Sequence, residues 1–192
     1  MANSLKGSQT EHNLLKAFAG ESQARNRYEF FASVAKKEGY VQISNIFLET
    51  ASQEKEHAKR FFKFLEGGMV EITASYPAGK IGTTIENLKA AAEGEYEEWS
   101  VLYPTFAKIA EEEGFKDVAT AFKMISKVEI EHEKRYLKLL QNLSEDKVFI
   151  KDGKVWWQCI NCGYVYESVK ALQTCPACLH GLEYMQLMPN NY

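Results

Sequence analysis

With 192 residues, 45% hydrophobic and 26% charged, the chain can bury a core in one or two domains and has the composition of an ordinary globular protein. Its 23 Lys and Arg against 26 Asp and Glu, a net charge of -3, argue against a nucleic-acid partner, which would require a basic face. Apolar runs never exceed three residues and the start, 1–10, is polar, so neither a membrane span nor a signal peptide is expected, and a cytoplasmic location follows.

Four long helices are expected in chain order. The first opens on Ser8-Gln9-Thr10-Glu11, a capping-box pattern, and stops near Gly39. The second runs from about Val41 to Leu65 and ends at Gly67-Gly68. The stretch 67–83, with Pro77 and four glycines, is too long for a tight turn and reads as a crossover. The third helix starts at Thr83-Thr84-Ile85-Glu86, another capping box, and ends at Gly114, with a kink or one loosened turn expected at Pro104. The fourth runs from about Lys116 to Leu143, and 144–156 links it to a cysteine-rich tail.

The chain repeats itself. Glu54-Lys55-Glu56-His57-Ala58-Lys59-Arg60 returns 75 residues later as Glu129-Ile130-Glu131-His132-Glu133-Lys134-Arg135, and Gly20-Glu21 returns at an offset of 74 as Gly94-Glu95. A duplicated helix pair joined by a long crossover has the connectivity of a ferritin-like four-helix bundle. The core stripes, read at spacings of three and four, are Leu14, Ala17, Glu21, Ala24, Tyr28, Phe31, Ala35 on the first helix and Ile43, Phe47, Thr50, Glu54, His57, Phe61, Phe64 on the second. The third gives Leu88, Ala91, Glu95, Glu98, Leu102, Thr105, Ile109, and the fourth Val118, Phe122, Ile125, Glu129, His132, Tyr136, Leu139.

Five glutamates therefore face one core with two histidines and no Lys or Arg on the stripes. A buried carboxylate is costly unless paired or metal-bound, and five together need an internal cation. A lone Glu-x-x-His is ordinarily a solvated helix face. Two of them, in register with an internal repeat and inside apolar stripes, indicate a dinuclear metal site. Each pair brings its ligands about 5–6 Å apart at Cβ, close enough for one metal, and the glutamates of the first and third helices are expected to bridge both. The oxygen and imidazole donors suit iron or manganese, with zinc as a contaminant. Tyr28, two turns past Glu21, could hydrogen-bond within the site, whereas His12 and His180 fall on no stripe and are placed at the surface.

In the tail, Cys159-Ile160-Asn161-Cys162 and Cys175-Pro176-Ala177-Cys178 form two Cys-x-x-Cys knuckles twelve residues apart, the arrangement needed for tetrahedral thiolate coordination of iron or zinc. Spacing alone does not separate a zinc ribbon from a one-iron electron-transfer site. With four Lys, no Arg and three acids over 147–192, the tail is not basic enough for a nucleic-acid-binding ribbon.

The order of Gly20-Glu21-Ser22-Gln23-Ala24-Arg25, the two Glu-x-x-His-x-Lys-Arg repeats, Cys159-x-x-Cys162-Gly163-Tyr164-Val165-Tyr166 and Cys175-Pro176-x-Cys178 resembles the rubrerythrin family along essentially the whole chain. The resemblance implies a ferritin-like di-iron domain, 1–146, and a rubredoxin-like domain, 147–192. It implies a peroxidase that reduces hydrogen peroxide to water and protects against oxidative stress, with two non-haem irons in the bundle and one iron on Cys159, Cys162, Cys175 and Cys178. Glu21, Glu54, Glu95, Glu129 and His132 are the implied iron ligands. Glu98 and His57 are the implied pair between which one iron moves, and Tyr28 and Tyr103 match family tyrosines at the centre. Glu98 has no counterpart in the first helix, where Gln23 or Ala24 stands, and a storage site would not need it.

On this reading the four-cysteine iron relays electrons from an external donor, a rubredoxin or an NADH-linked reductase, and zinc in its place would stop turnover. His132 lies eleven residues before Leu143, about 16 Å along the helix, so a head-to-tail homodimer is expected in which each tail serves the other subunit's centre. Two other classes are an iron-storing ferroxidase, which would need neither Glu98 nor the cysteines, and a zinc-ribbon interaction protein with a structural bundle.

Overall fold

A computed structural model of the chain describes residues 4–190; residues 1–3 of the polar start and 191–192 of the tail lie outside the described residues. Helix α1, Gln9–Lys37, is capped by Ser8, whose hydroxyl accepts the Glu11 amide. The expected reciprocal bond differs: the Glu11 carboxylate reaches back to the Gly7 amide at 2.8 Å, one residue further than a capping box requires. Helix α2, Val41–Phe62, pairs with α1 through the tight turn at Gly39, whose φ of +85° favours glycine. The crossover then runs without helix or strand to Thr83, where the second capping box is complete, Thr83 and Glu86 each bonding the other's backbone amide.

The second helix pair is interrupted in one place. Helix α3, Thr84–Glu97, loosens into a π-helical turn, Glu98–Leu102, just before Pro104, and then continues as α4, Tyr103–Glu112. Pro104 sits in the first turn of α4, where its missing amide costs little. The wider turn advances the phase of everything downstream. The expected stripe positions Leu102, Thr105 and Ile109 are only half-buried or exposed, and Tyr103, Ala107 and Ala110 face the core instead. Ser126 of α5, Lys116–Ser144, donates to the Trp99 carbonyl of the π turn. Such turns recur at functional sites, and this one begins on Glu98.

Two apolar clusters fill the bundle. One gathers Tyr28, Phe31, Phe47, Leu88 and Tyr136, the other Leu14, Phe61, Tyr103, Val118 and Phe122. Each fully buried aromatic of this kind contributes about 1.5–3 kcal/mol. The site glutamates lie in sequence between the members of the two clusters on every helix, so the polar layer is sealed by apolar side chains at both ends.

The tail is a small antiparallel sheet of order β2-β1-β3, built from Ile150–Cys159, Val165–Lys170 and Met185–Leu187. Strand β1 thus starts inside the expected linker. Trp157, Cys159, Ala171, Cys175 and Met185 form its core. The tail rests on the α1–α2 corner, where the Tyr40 and Phe149 rings stack with centroids 6.2 Å apart, within the roughly 4.5–7 Å range of aromatic pairs. The fold is mainly α, a ferritin-like four-helix bundle with a small four-cysteine β domain. Among the described residues no helix is long and apolar enough to cross a membrane.

Candidate metal centre

Two groups of side chains in the bundle offer ligand atoms within 4.8 Å of one another: Glu21, Glu54, His57 and Glu129, and Glu54, Glu95, Glu129 and His132. All the expected bundle positions except Glu98 are thereby brought together. The carboxylates common to both groups are Glu54 and Glu129, on α2 and α5. This corrects the expectation that glutamates of the first and third helices bridge: Glu21 and Glu95 each belong to one group only. The Glu-x-x-His pairs lie on α2 and α5, and it is their glutamates that both groups share.

The arrangement has a rough twofold symmetry. His57 Nδ1 lies 3.0 Å from Glu129 Oε1, 3.1 Å from Glu54 Oε2 and 3.7 Å from Glu21 Oε2. His132 Nδ1 lies 2.8 Å from Glu129 Oε2, 3.1 Å from Glu54 Oε1 and 3.7 Å from Glu95 Oε2. Yet His132 Nδ1, both Glu129 oxygens and one oxygen each of Glu21, Glu54 and Glu95 are buried with no aligned hydrogen bond. Such atoms are costly alone. Their lone pairs converge on common points rather than on each other, which is what a pair of metal ions would satisfy.

Tyrosines hold the outer glutamates. Tyr28 donates to Glu95 Oε1 at 2.6 Å and Tyr103 donates to Glu21 Oε1. Tyr28 therefore serves the glutamate across the bundle, not Glu21 on its own helix. Replacing either tyrosine by phenylalanine should weaken bundle iron binding about tenfold, read by chelator competition, while the aromatic packing persists. A residue that the sequence did not single out is Gln53, whose Oε1 accepts from His132 Nε2 at 2.9 Å. It stands beside the stripe rather than on it, and the only signal was its replacement by Val128 in the second repeat. Glu98 stands outside both groups, half-buried, with its carboxyl beside Gly20.

Burial pushes the Glu21 and Glu98 carboxyls well above the usual range, reinforced by neighbouring glutamates. Burial and then the Glu54 charge raise Glu95 to about 8. Glu54 resists its burial, because the His132 and His57 imidazoles beside it hold it near 2. Both imidazoles are raised despite burial, first by Glu129, then by Glu21 and Glu54 at His57 and by Glu54 and Glu95 at His132. Without metal, the cluster thus keeps protons at neutral pH. A carboxyl raised from 4.5 to about 8 takes up a proton on folding, so its contribution to stability is lost as pH rises through that window. The raised histidines act in the same sense above 6.5. The melting temperature of metal-free protein should therefore fall from pH 5 to pH 8, while that of iron-loaded protein holds, because bound metal displaces those protons. Calorimetry of both forms checks this.

The four cysteines form the second site. Sγ of Cys159 and Cys178 are 3.7 Å apart, and those of Cys162 and Cys175 are 3.6 Å apart. No disulfide joins them. A tetrahedron with metal–sulfur bonds of about 2.3 Å has edges of about 3.7 Å, so the thiols are already spaced for one ion. Gly163 closes the first knuckle with φ of +79°, and Leu179 takes the equivalent place in the second at +62°. His180, expected at the surface, is half-buried in this knuckle, and its amide lowers Cys178 to about 6. His12 is likewise half-buried, its ring against the Ser8 carbonyl.

The family profile described as Rubrerythrin matches residues 12–140. The chain belongs to the rubrerythrin family. A second profile, for the rubrerythrin rubredoxin-like domain, matches 157–186. The chain is 64% identical over 192 residues to a rubrerythrin of Porphyromonas gingivalis, covering 100% of this chain and 96% of that one. It is 54% identical over 189 residues to a rubrerythrin of Nitratidesulfovibrio vulgaris, covering 98% and 99%. A solved structure of fully reduced, all-ferrous nigerythrin superposes with a TM-score of 0.63 at 28% identity, covering 97% of this chain and 92% of that chain. As in other rubrerythrins the cofactors are iron, two non-haem ions in the bundle and one on the four cysteines, which makes this an iron-based redox protein. The orphaned carboxylate oxygens and the tetrahedral thiols are the features of this chain that fit them.

Proposed function

We propose that the protein is a peroxidase that reduces hydrogen peroxide to water in defence against oxidative stress. Electrons come from an external donor, a rubredoxin or an NADH-linked reductase, through the four-cysteine iron. The observation that carries this reading is the pairing, in one chain, of two metal positions sharing Glu54 and Glu129 with a separate four-thiolate site. Two ferrous ions held by these groups would supply the two electrons that peroxide reduction needs, and iron held by the four cysteines would supply single electrons.

The protein's own residues have distinct tasks in this proposal. Glu54 and Glu129 fix the spacing of the two positions. Glu21 and His57 complete one, and Glu95 and His132 the other. Tyr28 and Tyr103 orient the outer glutamates through their phenol protons. Gln53 holds His132 at Nε2. His57 lies inside its group and Glu98 outside, which is compatible with the exchange of these two ligands at one position that the family resemblance implies. Apolar clusters on both sides exclude bulk water.

We assign 1–146 to the di-iron domain and 147–192 to the rubredoxin-like domain, in keeping with the end of α5 at Ser144 and the start of β1 at Ile150. The tail packs on the α1–α2 corner, with Glu183 against Gly39. Glu21 lies about 25 Å along α1 from that corner, at 1.5 Å per residue. This separation supports a head-to-tail homodimer, in the cytoplasm, in which each tail serves its partner's bundle.

The test is anaerobic peroxide consumption by reduced, iron-loaded protein, set against Fe(II) oxidation by oxygen. Faster turnover with peroxide is expected. A mineral core formed from excess Fe(II), with no preference for peroxide, would overturn the reading in favour of storage.

A further inference from the structure

The bundle centre is sealed by apolar side chains along its axis, so a substrate must arrive from the side. A narrow cleft opens between α1 and the α3–π–α4 helix, roofed by Tyr76 and Pro77 of the crossover. Glu98 and Tyr103 lie on its wall, and Tyr103 is bonded to Glu21. The cleft encloses about 80 Å³. Since a water needs roughly 10–15 Å³ of such space, it admits a short file of water-sized molecules and no more. Gln23, Arg27, Pro77, Gly94 and Glu97 also line a wider cavity of about 690 Å³ under the rest of the crossover, so the cleft is the inner end of a funnel.

The neck of the funnel is marked by Gly20, buried in α1. A methyl group built there would lie 3.7 Å from the Tyr76 ring and 3.8 Å from Glu98 Oε1. It would be in ordinary contact on both sides, without clash, in space that is otherwise open. Tyr76 is fixed over this point by its hydroxyl, which donates to the Lys16 carbonyl at 2.8 Å. A glycine inside a long helix costs stability relative to alanine, and its φ is ordinary, so backbone strain does not explain it. The missing side chain leaves room where the crossover comes nearest to Glu98.

We infer that this cleft is the route by which peroxide reaches the centre, and that Gly20 and Tyr76 set its width so that hydrogen peroxide passes and bulky organic hydroperoxides do not. The inference rests on the peroxidase reading and adds the path of entry and the residues that exclude larger hydroperoxides. Gly20 and Tyr76 are specificity-determining residues, touching neither metal position.

Three variants of the iron-loaded protein test this: Gly20→Ala, Tyr76→Ala and Tyr76→Phe. Nitric oxide association with the reduced centre, followed by stopped-flow absorbance, reports access without turnover. Gly20→Ala should slow association and peroxide turnover about tenfold while leaving the melting temperature level or higher. Tyr76→Ala should speed association and raise kcat/KM for cumene hydroperoxide relative to hydrogen peroxide about tenfold. Tyr76→Phe, which keeps the ring and loses the bond to Lys16, should fall between wild type and Tyr76→Ala. Unchanged nitric oxide rates in both Gly20→Ala and Tyr76→Ala would overturn the route, even with wild-type peroxide turnover intact. Shifted nitric oxide rates in a wild-type background that ignores peroxide would uphold the route and overturn the peroxidase reading instead.

Discussion

Glu54→Ala should strip both irons from the bundle and leave the iron on the cysteines in place. Glu54 belongs to both ligand groups, with one oxygen near each histidine, so its loss removes a donor from each position at once. Glu129→Ala should do the same, for the same reason. Even the partners of metal ligands cost 10–100-fold when removed, so peroxide turnover in these variants should fall by at least about a hundredfold. Glu98→Ala differs, because Glu98 stands outside both groups: it should retain both irons yet turn over slowly. The stability of the metal-free protein separates these cases further. Glu54→Ala leaves two imidazoliums short of the carboxylate that both face, and should melt lower than wild type. Glu98→Gln removes a carboxyl whose ionisation is opposed by burial and then by Glu21 and Glu95, and should melt higher where rising pH would otherwise force that ionisation. Iron analysis, the iron–thiolate absorbance and calorimetry read all three properties.

Zinc in place of iron at the four cysteines should leave the fold intact and stop multiple turnovers. Zinc fits the same tetrahedron of thiols but carries no redox chemistry. Reduced protein with zinc there and iron in the bundle should therefore consume peroxide once and then stall, whatever donor is supplied. The same site tests the head-to-tail arrangement. Mixing Glu54→Ala with Cys175→Ala gives hybrids in which one subunit has only a working tail and the other only a working bundle. If each tail serves its partner, hybrids regain turnover that neither parent shows. If each tail serves its own bundle, mixing restores nothing.

Much of the centre was legible because α1, α2 and α5 are regular. An unbroken period of 3.6 places Glu21, Glu54, Glu129 and His132 on buried faces, and all four are buried. The repeat did the rest, since a motif that returns in register with an apolar stripe is not a solvated face. Periodicity failed where the helix is not α-helical. The π turn at Glu98–Leu102 shifts the phase, so Tyr103 replaces Leu102 on the core face. Pro104 pointed to a loosened turn beside it, but not to the π register or the phase shift that follows. Spacing also gives the face a side chain takes but not what it touches across the bundle. That is why the shared carboxylates, the Tyr28–Glu95 bond and the Gln53–His132 bond emerged only from packing. The cysteine knuckles were legible because four sulfurs in two tight turns leave little choice, whereas the role of the His180 amide was not, as it is carried by backbone.

The most direct measurement is anaerobic reconstitution with iron, full reduction, and addition of one equivalent of hydrogen peroxide per bundle site, followed by stopped-flow absorbance. The proposed function predicts rapid oxidation of the di-iron chromophore, then oxidation of the iron–thiolate chromophore as its electron moves to the bundle, with the cycle repeating on re-reduction. A di-iron spectrum that stays inert to peroxide, with only the iron–thiolate band changing, would contradict it.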